Sequence, residues 1–252
     1  MAKQALQIDA GMFLIPSFSE ANAFWDLISD FVFNLPVSQP RFWSIAPPIE
    51  DRRSLLEVQA LVVDGATELL WKRTASPKGQ GAFRKRGSLA DGPQHARHLL
   101  HVAYSNDEQV QVLINYLCYS AASVGVEYAW CDPHSDQVAS AAEDVLRQDS
   151  PGTWQLKSGL LEVGWGQIFG PAYVGLFGLD KLLSAPAYKV EQLTPDSVYI
   201  QLTESLFDTR SRPELVELIR QAVKTHLDDN IFFDPRNPPG HAYRTPEFKF
   251  EN

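Results

Sequence analysis

Between Trp165 and Asp208 the spacing of apolar and polar positions changes period several times without a break. From Val198 onward, Val198, Ile200 and Leu202 alternate with Tyr199, Gln201 and Thr203. That two-residue period predicts a strand with one apolar and one mostly polar face. A second β-like run, AYKVEQL, precedes it, and Thr194-Pro195-Asp196 lies between them. This triplet has turn chemistry, because Pro presets φ and Asp can bond its own backbone, so a hairpin is expected. Upstream, Gly164, Gly166 and Gly170 punctuate the end of the apolar run LLEVG, and Pro171 opens PAYVGLFG.

A helical period governs other stretches. Val110, Leu113, Ile114, Leu117 and Ala121 form one stripe between Asn106 and Ala122, with Gly125 where a C-terminal cap belongs. Trp25, Ile28, Phe31 and Val32 predict a helix to about Asn34, opened by the capping-box spacing of Ser17 and Glu20. A second box, Ser211 to Glu214, precedes a long stripe of Leu215, Leu218, Ile219, Ala222, Val223, His226 and Leu227. Ser135 to Arg147 reads as a less apolar helix. Leu6 to Ile15 reads as an edge strand, while RHLLHVAY and VEYAW read as strands. Leu55 to Asp64 reads as a strand joined through Asp64-Gly65 to ATELLWKR in a hairpin. Thr74 to Gln94 reads as a long exposed loop. The tail after Ile231, rich in proline and aromatic rings, is expected to lie extended across the body.

Strands and helices mix without a regular βαβ alternation. The expected class is α+β, a largely antiparallel sheet packed with amphipathic helices. The length suits a single domain over 1–252, with sub-structure at 1–125 and 126–252 and room for two similar halves, although no internal repeat is visible.

Composition narrows the function classes. No apolar run approaches the roughly 18 to 20 residues that span a bilayer. Asp9 interrupts the short apolar N-terminal region and no small-residue cleavage site follows, so a cytoplasmic protein is expected. Cys118 and Cys131 supply neither a disulfide framework nor metal-ligand spacing. The formal charge is −9, yet seven basic residues and only Asp91 fall between Lys72 and Arg97. The remainder then carries 15 basic and 30 acidic residues. An acidic body with one basic loop argues against general nucleic-acid binding and suits a basic protein partner.

No stretch carries a catalytic signature. Gly164-Trp165-Gly166-Gln167-Ile168-Phe169-Gly170 approaches a dinucleotide fingerprint, but Trp165 is bulky where backbone should meet a pyrophosphate, and Pro171 and Gly175 compromise the receiving helix. A structural turn is the expected reading. His95, His98 and His101 stand three apart, and on a strand 95 and 98 have opposite parity. No metal and no cofactor is therefore expected. Serine has no nucleophile elbow. The carboxylate pairs Glu162 with Glu191 and Glu204 with Asp208 cannot be placed by sequence at a hydrolase separation. Arg84-Lys85-Arg86, beside Phe83, lacks a stacking platform for nucleic acid.

Gly170-Pro171-Ala172-Tyr173, Leu182-Leu183-Ser184-Ala185-Pro186 and Thr203-Glu204-Ser205-Leu206-Phe207-Asp208 carry a resemblance. With the hairpin between the last two, this part of the C-terminal half resembles cytoplasmic immunity proteins of bacterial polymorphic-toxin and type VI secretion systems. The resemblance implies a non-enzymatic α+β protein that binds a cognate toxin and blocks it, with a nuclease toxin suited to an acidic inhibitor. Under that reading Asp180, Glu191, Glu204 and Asp208 form the acidic surface, with Tyr173 and Tyr199 as aromatic anchors. The alternatives are a carboxylate-dependent hydrolase using Glu162 or Glu204, and a phage or secretion-system structural subunit.

Overall fold

The computed structural model describes residues 5–89, 92–134, 153–157, 159–160, 162–233, 236–238 and 241–250. The expected helix at 135–147, the loop at 149–152 and Asp91 lie outside them. Among the described residues the eleven strands are β1 (Leu6–Leu14), β2 (Phe42–Ser44), β3 (Glu68–Arg73), β4 (Gly79–Arg84), β5 (Ser88–Leu89), β6 (Gly92–Pro93), β7 (Ala96–Tyr104), β8 (Val126–Pro133), β9 (Gly166–Phe169), β10 (Lys189–Thr194) and β11 (Ser197–Gln201). The helices are α1 (Ala21–Asn34), α2 (Leu55–Val63), α3 (Asp107–Ser123), α4 (Thr153–Lys157), α5 (Pro171–Phe177), α6 (Leu179–Leu183), α7 (Asp208–Ser211) and α8 (Pro213–Leu227). Nine strands form one sheet in the order β10-β11-β9-β8-β1-β7-β4-β3-β2, with every pairing antiparallel. The class is α+β, as the mixed periods predicted.

β1 is a central strand, not an edge. It pairs with β7 on one side and β8 on the other, and its run AGMFL is buried and apolar on both faces. On one face Met12, His98, Phe83 and Trp71 lie under α1 and α3. Phe31 of α1 meets Trp71 at 5.0 Å, Phe83 at 5.3 Å and His98 at 4.7 Å between ring centroids. His98 Nδ1 is 2.9 Å from the hydroxyl of Tyr116 on α3, while its Nε2 has no partner among the described residues. Tyr116→Phe would leave a fully buried imidazole with neither nitrogen bonded. We expect it to lower unfolding free energy by about 1–2 kcal/mol, measurable by urea denaturation. The opposite face buries Phe13, Tyr128 and Phe169 against Tyr173 and Phe177 of α5, and Tyr173 in turn meets Phe248 of the tail at 6.2 Å. The tail lies along the body, as its aromatic content predicted.

Two segments differ from the sequence reading for identifiable reasons. Residues 55–63 form a helix, because Ser54 and Glu57 make a true capping box: the Glu57 amide donates to Ser54 Oγ and the Ser54 amide to Glu57 Oε2 at 2.7 Å. The Ser54 amide foremost, and then the Ser54 hydroxyl donating to the same oxygen at 2.8 Å, hold the Glu57 carboxyl below its usual range. Asp64-Gly65 then ends the helix, with Gly65 at φ +96°. The boxes expected at Ser17–Glu20 and Ser211–Glu214 do not form, and Glu20 and Arg212 make no side-chain cap. Within 74–94, β4 and the short pair β5–β6 interrupt the expected loop. The β4 sequence GQGAFR fits because Gly81 lies under the Trp71 indole and beside the Leu99 carbonyl, where a Cβ would come within 2.1 Å of that oxygen. Several basic residues in and beside this stretch are held internally, while Lys78 is exposed. Arg84 is 2.5 Å from Glu68, Arg73 donates to the Pro77, Gln39 and Ser76 carbonyls, and Arg97 is buried.

Candidate functional site

The sheet ends at the hairpin predicted by the 189–201 pattern. β10 pairs with β11, and among the described residues its other edge meets no strand. Every residue of β11 is buried, including those on the face expected to be polar. Helices lie on both sides of the sheet here: α3 packs on β9 and β10, and α5 and α6 pack on β11. β10 is by contrast largely open. Lys189 and Glu191 stand exposed with an ion pair of 2.6 Å, and Tyr188 just ahead of them is 57% exposed. α6 packs beside β10 and presents exposed Asp180 and Leu183. Glu204 is exposed on the turn after β11.

Three of the six sequence-predicted site residues are not on this surface. Tyr173 is fully buried among Tyr128, Phe169 and Phe177, and burial raises its hydroxyl well above the ordinary range. Tyr199 is also buried, its hydroxyl donating to Gln201 at 2.9 Å. Asp208 is buried and accepts two hydrogen bonds from Arg212, at 2.5 and 3.0 Å, which hold its carboxyl below the usual range. Both tyrosines read as exposed because strand and helix periods name a face without saying what covers it. Tyr188 and Leu183 are large side chains exposed near Asp180 and Glu191 in the chain.

The glycine run is structural, as expected. Gly170 approaches the backbone of Val126 and Glu127 so closely that a Cβ would lie 2.0 Å from the Val126 carbonyl oxygen. Its amide donates to the Glu127 carbonyl at 2.9 Å, and the buried Glu127 carboxylate accepts from the Ala172 amide at 2.7 Å, at the start of α5. Burial raises the Glu127 carboxyl, against that amide bond. The carboxylate pairs separate into ion pairs with bases: Glu162 reaches Lys224 at 3.1 Å and Glu191 reaches Lys189. Cys118 and Cys131 are thiols pushed up by burial, Cys118 to about 12.

The densest polar chemistry lies elsewhere, on the face of the sheet opposite α3. Asp9 on β1 stands directly across from His101 on β7 and from Asp132 on β8. Its two carboxylate oxygens each lie 2.7 Å from an imidazole Nδ1, one of His101 and one of His134. Asp132 accepts from the Trp165 amide at 3.2 Å and from Arg220 at 3.3 Å. Burial raises its carboxyl to about 6, against those two contacts. His95 and His98 do not join this cluster. His95 packs against Phe13, Phe248 and Phe250, and His98 lies in the core on the other face. Asp9 and His101 lie on strands and His134 just past the end of a third, all far apart in the chain, so no local spacing marks them.

No family model and no curated protein matches the sequence. In fold the chain is similar to the T6SS protein PA0821 of Pseudomonas aeruginosa, at a TM-score of 0.54 and 14% identity over 95% of this chain and 79% of that one. A structure of the toxic C-terminal tip of CdiA from Pseudomonas aeruginosa in complex with its immune protein matches 53% of this chain and 89% of that one. Its TM-score is 0.32 at 7% identity, too low to bear on the fold. No helix among the described residues is long and apolar enough to cross a membrane.

Proposed function

We propose that this protein is a cytoplasmic immunity protein, which binds a cognate bacterial toxin and neutralises it by covering its active site. The observation that carries the reading is the open β10 edge with Tyr188, Leu183, Asp180 and Glu191 beside it. It lies within the segment that resembles immunity proteins, on a fold shared with a T6SS protein. An unpaired strand edge offers backbone hydrogen bonds to an added strand, and flanking side chains supply selectivity. Tyr188 provides a large ring with a polar tip, the residue type that anchors interfaces. The acidic groups steer a basic partner toward the edge. A nuclease is the toxin class that this charge fits, because a nuclease cleft is built to hold a polyanion.

The test is co-purification of the tagged chain with the toxin encoded beside it, followed by titration calorimetry. A one-to-one complex is expected. Tyr188→Ala should weaken it on the order of 10- to 100-fold through faster dissociation. Glu191→Lys should mainly slow association and reduce its salt dependence. A toxin that neither co-purifies nor loses activity in the presence of this protein refutes the reading.

A further inference from the structure

The geometry points to a divalent transition-metal site formed by Asp9, His101 and His134. This goes beyond the toxin-binding reading and rests on different residues. β1 supplies the carboxylate, β7 supplies the imidazole opposite it, and His134 follows the end of β8. The His134 amide donates to the Gln7 carbonyl at 2.9 Å, so backbone bonding to β1 fixes its position. All three side chains therefore project from a hydrogen-bonded sheet, whose rigidity suits a preset ligand set.

The donor atoms converge. Both Nδ1 atoms lie 2.7 Å from Asp9 oxygens, the imidazoles meet edge-to-face at 4.8 Å, and one donor atom from each residue lies within 4.8 Å of the others. Two nitrogens bound at about 2.1 Å can stand at most about 4.2 Å apart. At the tetrahedral angle they stand about 3.4 Å apart, so closing the set on an ion needs a movement of up to about 1.4 Å, within the reach of side-chain torsions. The cluster is accessible without being loose: the side chains of Asp9, His134 and His101 are 13%, 21% and 32% exposed. Two imidazoles and a carboxylate suit zinc, cobalt, nickel or ferrous iron, while calcium and magnesium prefer all-oxygen shells. Three protein ligands leave the remaining coordination positions open.

A second observation favours a cation. Asp132 stands directly opposite Asp9 across the β1–β8 pair, and like charges facing each other on one sheet face oppose pairing. Arg220 reaches Asp132, leaving Asp9 to the two imidazoles. A dication there supplies the matching charge.

The experiment uses the full chain after treatment with a chelator and dialysis. Titration with Co²⁺ is expected to bind one equivalent, with visible ligand-field bands of nitrogen and oxygen ligation, and Zn²⁺ should displace it and raise the melting temperature. Ca²⁺ should do neither. His101→Gln and His134→Gln should each weaken Zn²⁺ binding on the order of 100-fold or more while keeping the wild-type circular dichroism. Should either variant misfold, ¹⁵N spectra of the wild-type imidazoles decide: Zn²⁺ must shift two histidines, with the buried His95 and His98 unmoved. Substoichiometric binding, undiminished affinity in both variants, or shifts confined to other histidines would mean that Asp9 is only a hydrogen-bonded clasp. None of these outcomes depends on the toxin.

Discussion

Gly170→Ala should lower unfolding free energy by about 3 kcal/mol or more, while Gly175→Ala, five residues on, should raise it by about 0.5–1 kcal/mol. Gly170 has φ −88° and ψ −166°, which alanine adopts without strain, so the cost is one of contact alone. An added Cβ would lie 2.0 Å from the Val126 carbonyl oxygen and 2.8 Å from the Glu127 Cα. Both are backbone atoms of a paired strand and cannot move aside as a flexible side chain can. Relief requires separating β9 from β8 or shifting the start of α5, where the Glu127 carboxylate bonds the Ala172 amide. Gly175 lies within α5, exposed, with open space around its Cα. There alanine adds helix propensity and meets nothing. Urea denaturation followed by circular dichroism measures both. A Gly170→Ala variant within about 1 kcal/mol of wild type would show that the β8–β9 contact yields readily.

The second large effect is acid lability. His98 is fully buried and stacked on Phe83 at 3.8 Å, and burial holds its imidazole well below the ordinary value. His95 is pushed down to about 3, first by burial and then by Arg86, Lys157 and Arg97. In the unfolded chain both titrate near 6.5. Below that pH unfolding takes up two protons. Their contribution is therefore complete above pH ~6.5 and shrinks as pH falls, by about 1.4 kcal/mol per unit for each histidine. Asp132 acts in the opposite sense. Its folded carboxyl is raised to about 6, so between there and 3.8 the folded state binds the extra proton and offsets one histidine. From the two histidines and Asp132 the expectation is a loss of about 2 kcal/mol between pH 6 and 4.5, which the raised Glu127 carboxyl reduces. His98→Phe should remove one proton from the slope and leave the profile nearly flat in that window. Denaturation curves at several pH values test this. A wild-type profile already flat there, or a variant with an unchanged slope, contradicts it.

How far such features can be read from sequence depends on the range of the physics behind them. The α3 stripe of Val110, Leu113, Ile114, Leu117 and Ala121 is buried as its period predicted, and Gly125 follows at φ +93°. A capping box is a local signal too, yet of the spacings at Ser17, Ser54 and Ser211 only Ser54–Glu57 forms one. Phe18, at φ +54°, takes the chain into α1 by another path, and α7 occupies Ser211. In α8 the helix was legible and its buried face was not. Val216, Val223 and Leu227 are inside while Leu215 and Leu218 are exposed, because a stripe of leucines names an apolar face without naming its neighbour. β11 shows the converse, its polar positions covered because the sheet has helices on both sides. The parity of His95 and His98 was legible, and the two do point to opposite faces. That His101 meets Asp9 and His134 was not, because strand pairing over such separations is decided by the whole sheet.

β1 sits at the middle of that sheet, yet it is made long before its partners. Leu14 leaves the ribosome roughly eighty residues ahead of Ala96, which pairs with it, and at ~5–20 residues per second that is an interval of about 4–16 s. During it Met12, Phe13 and Leu14 have two bare strand edges and no core to enter. β8 comes later still. The nascent chain should therefore carry this strand unprotected through much of translation, and residues 6–14 should be an early site of chaperone binding.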